Sequence, residues 1–253
     1  MNLFTKSETI AAIEKLGSHG YLEFENVVPV ETLAAINAQI DSAKSNRLGF
    51  QHFIADDSRP VVSRLRALGQ FTKIEGLARE AVKTMNAASL PPGLGDDSFF
   101  VLRCVDAGSN SVSHKRHYDS HLLTILISLQ TSDGVDMNGD LIIYPNHRKV
   151  PSSFVNIIQK GITKLHQWPP FAIRSKVTAL DLRAERAKRI LCKSGSVYVF
   201  NGLVSMHCNL HIERGERRSL LIHDYDPGLA FGLSDRLRAA RKKTSIPAQR
   251  PAA

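Results

Sequence analysis

Cysteine is scarce in this chain: Cys104, Cys192 and Cys208 are the three it has in 253 residues. An odd number at wide spacing excludes a disulfide framework and points to a reducing compartment. Long apolar runs are lacking as well. None reaches the length that spans a bilayer, and Met1-Asn2-Leu3-Phe4-Thr5-Lys6-Ser7-Glu8 has no apolar core of a secretory signal. The expectation is a cytoplasmic protein. Acidic side chains are missing where basic ones gather. Residues 148–193 hold eleven Lys or Arg against two Asp or Glu, and 235–253 hold six against one. These segments carry +14 in a chain whose net charge is +9, which leaves the remainder at −5. Localised positive charge suits an anionic partner such as a phosphate, an acidic sugar, a lipid headgroup or a nucleic acid, and equally a solvated face. Aromatic residues are few there. Apart from Phe154, Trp168 and Phe171, the basic segments lack the interleaved rings of a single-strand stacking platform.

Apolar residues make up 43% of the chain, enough for a sizeable core, and the length suits one domain with an appendage. Residues 1–95 read as mainly helical. Ser7 is placed to cap a helix carrying Ile10, Ile13 and Leu16, stopped by Gly17. Tyr21 to Val28 contains a strand-like alternation. Leu33, Ile36 and Ile40 mark one face of a second helix, and Phe71, Ile74, Leu77, Val82 and Met85 mark a third. Arg47 to Pro60 reads as a loop. After Leu90-Pro91-Pro92-Gly93 short β-branched runs alternate with turn residues: Phe99 to Val105, Leu122 to Leu129, Leu141 to Tyr144, Ser196 to Phe200, Ser205 to Ile212 and Arg217 to Asp224. This spacing predicts a sandwich or barrel. Within 150–190, Val155, Ile158 and Ile162 or Leu165 predict a helix with Lys160 and Lys164 on its other side, broken by Trp168-Pro169-Pro170-Phe171.

His117-Tyr118-Asp119 precedes one of these apolar runs, His207 lies in a later one, and Arg217-Arg218-Ser219 begins ten residues beyond His207. Two imidazoles and a carboxylate can occupy one face of an octahedral Fe(II) and leave three positions open. An arginine with a hydroxyl two residues on can hold the far carboxylate of a dicarboxylic acid. On a strand Arg217 and Ser219 share one face and Arg218 takes the other. His211 lies four residues after His207 and shares its parity. Cys208, beside His207, faces the opposite way and reads as a packed thiol. Asn201 reads as serving a turn with Gly202.

Taken with their flanks, Ser120 to Gln130, Gly139 to Asn146, Gly195 to Gly202 and Gly215 to Ile222, these residues resemble the Fe(II)/2-oxoglutarate-dependent oxygenase superfamily. The resemblance covers roughly residues 98–226, with a gap at 148–193. It implies a mainly β fold with flanking helices: a double-stranded β-helix (a jelly roll, cupin-like) with an N-terminal helical buttress. The implied organisation is one domain over 1–233, followed by a flexible basic tail 234–253. Within that domain, residues 1–95 are helix-rich, 96–233 form the jelly-roll core, and 148–193 are a basic insertion. His117, Asp119 and His207 are implied as metal ligands and catalytic residues, and Arg217 and Ser219 as holders of the 2-oxoglutarate C5 carboxylate. Fe(II), 2-oxoglutarate and O2 are the implied cofactors, and hydroxylation with release of succinate and carbon dioxide is the implied reaction. The halogenating branch has a small residue where Asp119 stands, so the carboxylate argues for hydroxylation, or for desaturation or ring closure. An insertion between the middle strands often covers the site mouth in this superfamily. Lys160, Lys164 and Arg174 are therefore candidate contacts to an anionic substrate, small or lipid-linked, together with Arg103 and His223. An apolar turn flanked by Lys and Arg also suits a membrane surface. His114, His121, His147 and His166 read as surface or supporting groups. A nucleic-acid or protein modifying oxygenase is the main alternative. Against a nucleic acid, the repair branch usually has another Arg six residues after the first, where this chain has His223. A non-catalytic jelly-roll binding protein and a cupin-like enzyme without 2-oxoglutarate are further readings.

Overall fold

The computed structural model describes residues 3–43, 51–54, 59–87, 98–108, 110–132, 139–150 and 152–227. The tail 234–253 lies outside the described residues. The chain opens with helix α1 (Lys6–His19), whose N-cap is Thr5. Thr5 and Glu8 form a reciprocal capping box: the Thr5 hydroxyl accepts from Glu8 N at 3.2 Å and Glu8 Oε2 accepts from Thr5 N at 2.6 Å. Two backbone donors satisfied at once outcompete the single cap expected of Ser7, which sits inside the first turn. The helix also runs past Gly17. It ends at Gly20, whose φ of 84° is the left-handed conformation that a glycine adopts without steric cost.

Strand β1 (Tyr21–Phe24) and helix α2 (Val30–Ala43) follow. Then come β2 (Gln51–Ile54) and α3 (Arg59–Arg66), both within or adjoining the segment read as a loop. The strand has no alternation of its own to announce it. It forms because β3 (Phe99–Asp106) offers an open edge, pairing Gln51 with Cys104 and Ile54 with Val101. Pro60 stands in the first turn of α3, where its missing N–H costs nothing. Helix α4 (Gly69–Met85) is the third helix that the apolar spacing predicts.

The remaining strands are β4 (Leu123–Gln130), β5 (Leu141–Tyr144), β6 (Lys188–Ile190), β7 (Val197–Phe200), β8 (Met206–Asn209) and β9 (Glu216–Asp224). They build two antiparallel sheets, β1-β7-β4-β9-β3-β2 and β6-β5-β8. The outer face of the larger sheet, with Leu102, Ile125, Ile127, Val199, Leu220 and Ile222, packs on α2, α3 and α4 through Ile36, Leu65, Phe71 and Ile74. Its inner face meets the smaller sheet, where Leu126, Tyr198 and Phe200 pack against Leu141 and Ile143. The central strand β4 is therefore buried on both sides, which is why it reads as a continuous apolar run rather than an alternation. Polar ties lock the helices to the sheet and to each other. Arg79 Nε donates to Asp224 at 2.9 Å and Arg66 pairs with Glu75 at 2.6 Å.

Between β5 and β6 stand α5 (Ser153–Leu165) and α6 (Phe171–Arg183). The Trp168-Pro169-Pro170-Phe171 break separates two helices, of which the second has no apolar periodicity to reveal it. Among the described residues no helix is long and apolar enough to cross a membrane. The three cysteines are buried.

Candidate metal centre

The site is assembled where the two sheets meet at one end. His117 precedes β4 and His207 lies on β8. Their backbones exchange two hydrogen bonds, His117 N to His207 O and His207 N to His117 O, both 2.9 Å. This pairing brings the two rings to 4.3 Å between centroids, tilted 56° to each other. Each imidazole is oriented the same way by the backbone behind it. His117 Nδ1 lies 3.0 Å from Lys115 O, and His207 Nδ1 lies 3.1 Å from Ser205 O. A ring nitrogen beside a carbonyl oxygen must carry the proton, so Nε2 of each ring keeps its lone pair for a ligand. Burial, with His207 second, pushes the His117 imidazole down to about 3 against the pull of Asp119. It is neutral at physiological pH, as a metal ligand must be.

Asp119 closes the triad. Its backbone N donates to Gly202 O at 2.9 Å. Its Oδ2 stands 3.6 Å from His207 Nε2, and the ligand atoms of His117, Asp119 and His207 all lie within 4.8 Å of one another. Burial disfavours the carboxylate, but the imidazoles of His207, His223 and His117 and the Thr124 hydroxyl outweigh it and hold Asp119 well below the ordinary range. Two imidazoles and one carboxylate gathered in this way suit a divalent first-row metal with open positions opposite.

Two supports of this centre were not legible in the sequence. Thr124 donates to Asp119 Oδ2 at 2.6 Å, and its oxygen lies 3.1 Å from His223 Nδ1. A hydroxyl that gives its proton to a carboxylate must accept from its second neighbour, so the chain runs His223 to Thr124 to Asp119. His223, a substrate candidate by parity, thus stands behind the carboxylate. It stacks with His121 at 5.3 Å. Gly202 is the second support. A Cβ built there would press into Asp119 Oδ2 and Thr124 Oγ1 and lie 2.8 Å from Asp119 Cβ. The turn role of Asn201 is as read: its Oδ1 accepts from Leu203 N at 3.1 Å. The need for no side chain at the next residue comes from packing across the site. Thr124→Val is expected to weaken metal binding about 10–100-fold, the usual worth of an outer partner. Gly202→Ala is expected to weaken it more, because it displaces the carboxylate itself. Metal titration of both variants, with unchanged folding by circular dichroism, checks the order.

Farther along the inner face of β9, Arg217 and Ser219 lie on the same side as His223, and all three are buried. Arg217 donates from one terminal nitrogen to Gly139 O at 2.8 Å. Its Nε has no hydrogen-bond partner, and among the described residues no carboxylate forms an ion pair with it. The nearby acid Asp140 is held by Arg189 at 2.8 Å and by Cys192 N at 3.1 Å. Burial lowers the Arg217 pKa, opposed by Cys192 and Asp140. A buried guanidinium without a counter-ion is costly unless a ligand supplies the anion. Arg218, on the opposite face, is spent on structure: it donates to Asn37 O at 3.0 Å and pairs with Glu216 and Asp41. Arg103 on β3 stands directly across from Ser219, so it shares the inner face.

The candidates from the insertion separate. Lys160 on α5 donates to Ser120 Oγ, beside Asp119, at 2.8 Å. Burial, then Arg148, pushes its ammonium below the usual lysine range. Lys164 is exposed. Arg174 is buried and donates to the backbone oxygens of Gln167, Pro169 and Asn110 at 3.1, 3.1 and 2.9 Å, so it pins the α5–α6 turn. His211 stands outside the triad, edge-on to Phe171 at 5.3 Å. His114 and His121 are buried rather than superficial, while His147 and His166 are exposed. Cys208 faces away from the site, packed with Ile142 and Met206.

Tyr118, between two ligands, borders a cavity of about 560 Å³ shared with Tyr144, His147, Arg148, Asp181 and Met206. Its acid, Asp181, is already paired with Arg186 at 2.7 Å and Arg116 at 3.1 Å.

No family model matches the sequence, and no curated protein matches it. Solved structures do. The non-heme alpha ketoglutarate dependent epimerase SnoN from nogalamycin biosynthesis superposes with a TM-score of 0.55 at 14% identity, over 90% of this chain and 87% of that one. EvdO2 from Micromonospora carbonacea var. aurantiaca, complexed with 2-oxoglutarate, gives 0.52 at 14% identity, over 85% and 90%. The carbocyclase SnoK from the same nogalamycin biosynthesis gives 0.51 at 13% identity, over 92% and 91%. The chain therefore has the double-stranded β-helix fold found in alpha-ketoglutarate-dependent non-heme enzymes.

Proposed function

We propose that the protein is an Fe(II)/2-oxoglutarate-dependent oxygenase that hydroxylates an unactivated C–H bond of a small or lipid-linked polar, anionic metabolite. The observation that carries this reading is one inner surface holding both halves of the requirement. His117, Asp119 and His207 converge at one place on it, and the buried Arg217, without a counter-ion among the described residues, stands farther along it. His117, Asp119 and His207 would hold the metal. Arg217 and Ser219 would hold the C5 carboxylate of 2-oxoglutarate through charge-assisted hydrogen bonds. When bound, iron and 2-oxoglutarate supply the oxidising power, coupling decarboxylation to succinate and carbon dioxide with oxidation of the substrate by O2. The chain's own contribution is placement. The His223–Thr124 relay keeps Asp119 ionised and aimed, the two carbonyls keep both imidazoles in the ligand tautomer, and the packed sheets exclude bulk water.

The anionic substrate rests on a different observation. Arg116, Arg148, His147 and His166 border the cavity beside Tyr118, and its acid is already paired. Lys160 reaches the rim next to Asp119. A second outcome, ring closure or epimerisation, is favoured by the activities for which SnoK and SnoN are named. The product's mass separates them: one added oxygen for hydroxylation, two lost hydrogens for ring closure or desaturation, no change for epimerisation.

The first test needs no substrate. Under anaerobic conditions the apo-protein is expected to bind one Fe(II) per chain, and 2-oxoglutarate is then expected to add a weak visible charge-transfer band. Tight Zn(II) binding with no response to 2-oxoglutarate would sink the reading. A screen of anionic metabolites for substrate-dependent succinate release then identifies the substrate.

A further inference from the structure

Helix α5 is mounted the wrong way round for a soluble surface. An amphipathic helix normally turns its apolar stripe to the core and its polar face to water. Here the buried positions are Asn156, at 1% exposure, and Thr163, at 7%. Both lie on the side where Arg148 donates to Asn156 Oδ1 at 2.9 Å and Lys160 reaches Ser120. The apolar stripe, Phe154, Ile157, Ile158, Ile162 and Leu165, faces outward, and Trp168 follows in the turn. Phe154 is 70% exposed and Trp168 79%. Helix α6 repeats the inversion: it buries Arg174, Thr178 and Asp181 and exposes Ile173 and Leu180. A contiguous apolar surface of this kind marks an interaction site.

The charge around it selects the partner. Segment 148–193 carries eleven basic residues and two acids, and one of those acids, Asp181, is buried between Arg116 and Arg186. Lys149 and Lys164, before and on α5, and Lys176 and Arg183, on α6, are exposed. A second copy of the same face would bring like charges together. The basic tail 235–253 would do the same. An apolar stripe rimmed by lysine and arginine is complementary instead to a surface that is apolar within and negative at its boundary. We infer that the α5–α6 hairpin docks the protein on an anionic lipid bilayer, with Phe154, Ile158, Leu165 and Trp168 entering the interface and the flanking lysines meeting the headgroups. The inference stands apart from the reaction proposed above, because it rests on the outer side of the hairpin and its test reads lipid binding alone.

The chain carries its own reporter, since Trp168 is its single tryptophan. Vesicles of phosphatidylcholine with phosphatidylglycerol are expected to shift the Trp168 emission to the blue and to co-sediment the protein. Vesicles of phosphatidylcholine alone are expected to do so weakly, and high salt to reverse the difference. Ile158→Glu with Leu165→Glu is expected to lower partitioning about a hundredfold, since two apolar side chains are withdrawn from the interface. Lys164→Ala is expected to lower it about fivefold. These positions are exposed, so the melting temperature should not move. An unshifted wild-type emission with no co-sedimentation at low salt would overturn the inference whatever the variants do. So would sedimentation showing a dimer that the double variant dissociates, without lipid binding, because the occupant would then be a second copy.

Discussion

His117→Ala and His207→Ala proteins are expected to lose Fe(II) binding and turnover together, while His211→Ala keeps both. The expectation rests on how the triad is held. His117 and His207 are locked to each other by a pair of 2.9 Å backbone bonds, and each presents Nε2 because its Nδ1 is engaged by a carbonyl. Removing one ring leaves two protein ligands, too few to retain a labile ferrous ion. The loss should therefore exceed the roughly 10–100-fold that an outer hydrogen bond is worth. His211 has the right strand parity but lies beside Phe171, beyond the triad. Isothermal titration with Fe(II) under argon measures the effect. Loss of iron in His211→Ala with retention in His207→Ala would show that the distal ligand is misassigned.

Arg217→Ala is expected to have the second largest effect, and on 2-oxoglutarate rather than on the metal. Leaving a buried charge without its partner typically costs about 3–5 kcal/mol, here a rise of roughly 10²–10⁴-fold in the Kd for 2-oxoglutarate. Fe(II) affinity should be nearly unchanged. The apo-protein should melt no lower than wild type, because the substitution removes a buried cation that has no counter-ion among the described residues. Arg218→Ala should behave in the opposite way. Its guanidinium joins β9 to α2 through Asn37 and Asp41, so the melting temperature should fall while 2-oxoglutarate binding persists. Titration of the charge-transfer band in both variants, alongside thermal melts, checks the pair of outcomes. Equal losses of 2-oxoglutarate affinity would mean that the two faces of β9 are not functionally distinct.

The sequence by itself determined the features that depend on spacing along one strand or helix. The period of two on β9 puts Arg217, Ser219 and His223 on one side and Arg218 on the other, and the structure places them so. His117 and Asp119 flank a single residue, and the resemblance names them together as ligands before any fold is known. The runs that became β3, β4, β5, β7 and β9 announced themselves because both of their faces or one of them had to be apolar. Tertiary structure decided whatever depends on a partner distant in sequence. Strand β2 exists because β3 has a free edge. The ten-residue offset to Arg217 already favours His207 over His211, and the fold supplies the reason, because the His207 backbone pairs with His117. Gly202 must lack a side chain because Asp119 and Thr124 occupy that space, and nothing in its own neighbours says so. Arg174, a candidate substrate contact when read in sequence, becomes a buried clamp on three carbonyls. Helix α5 makes the point most directly. Its apolar stripe is plain in the sequence, but periodicity specifies only that two faces differ. Which face turns inward depends on what the fold offers to pack against, and here Arg148 and Ser120 drew the polar side in and left the apolar side to face outward.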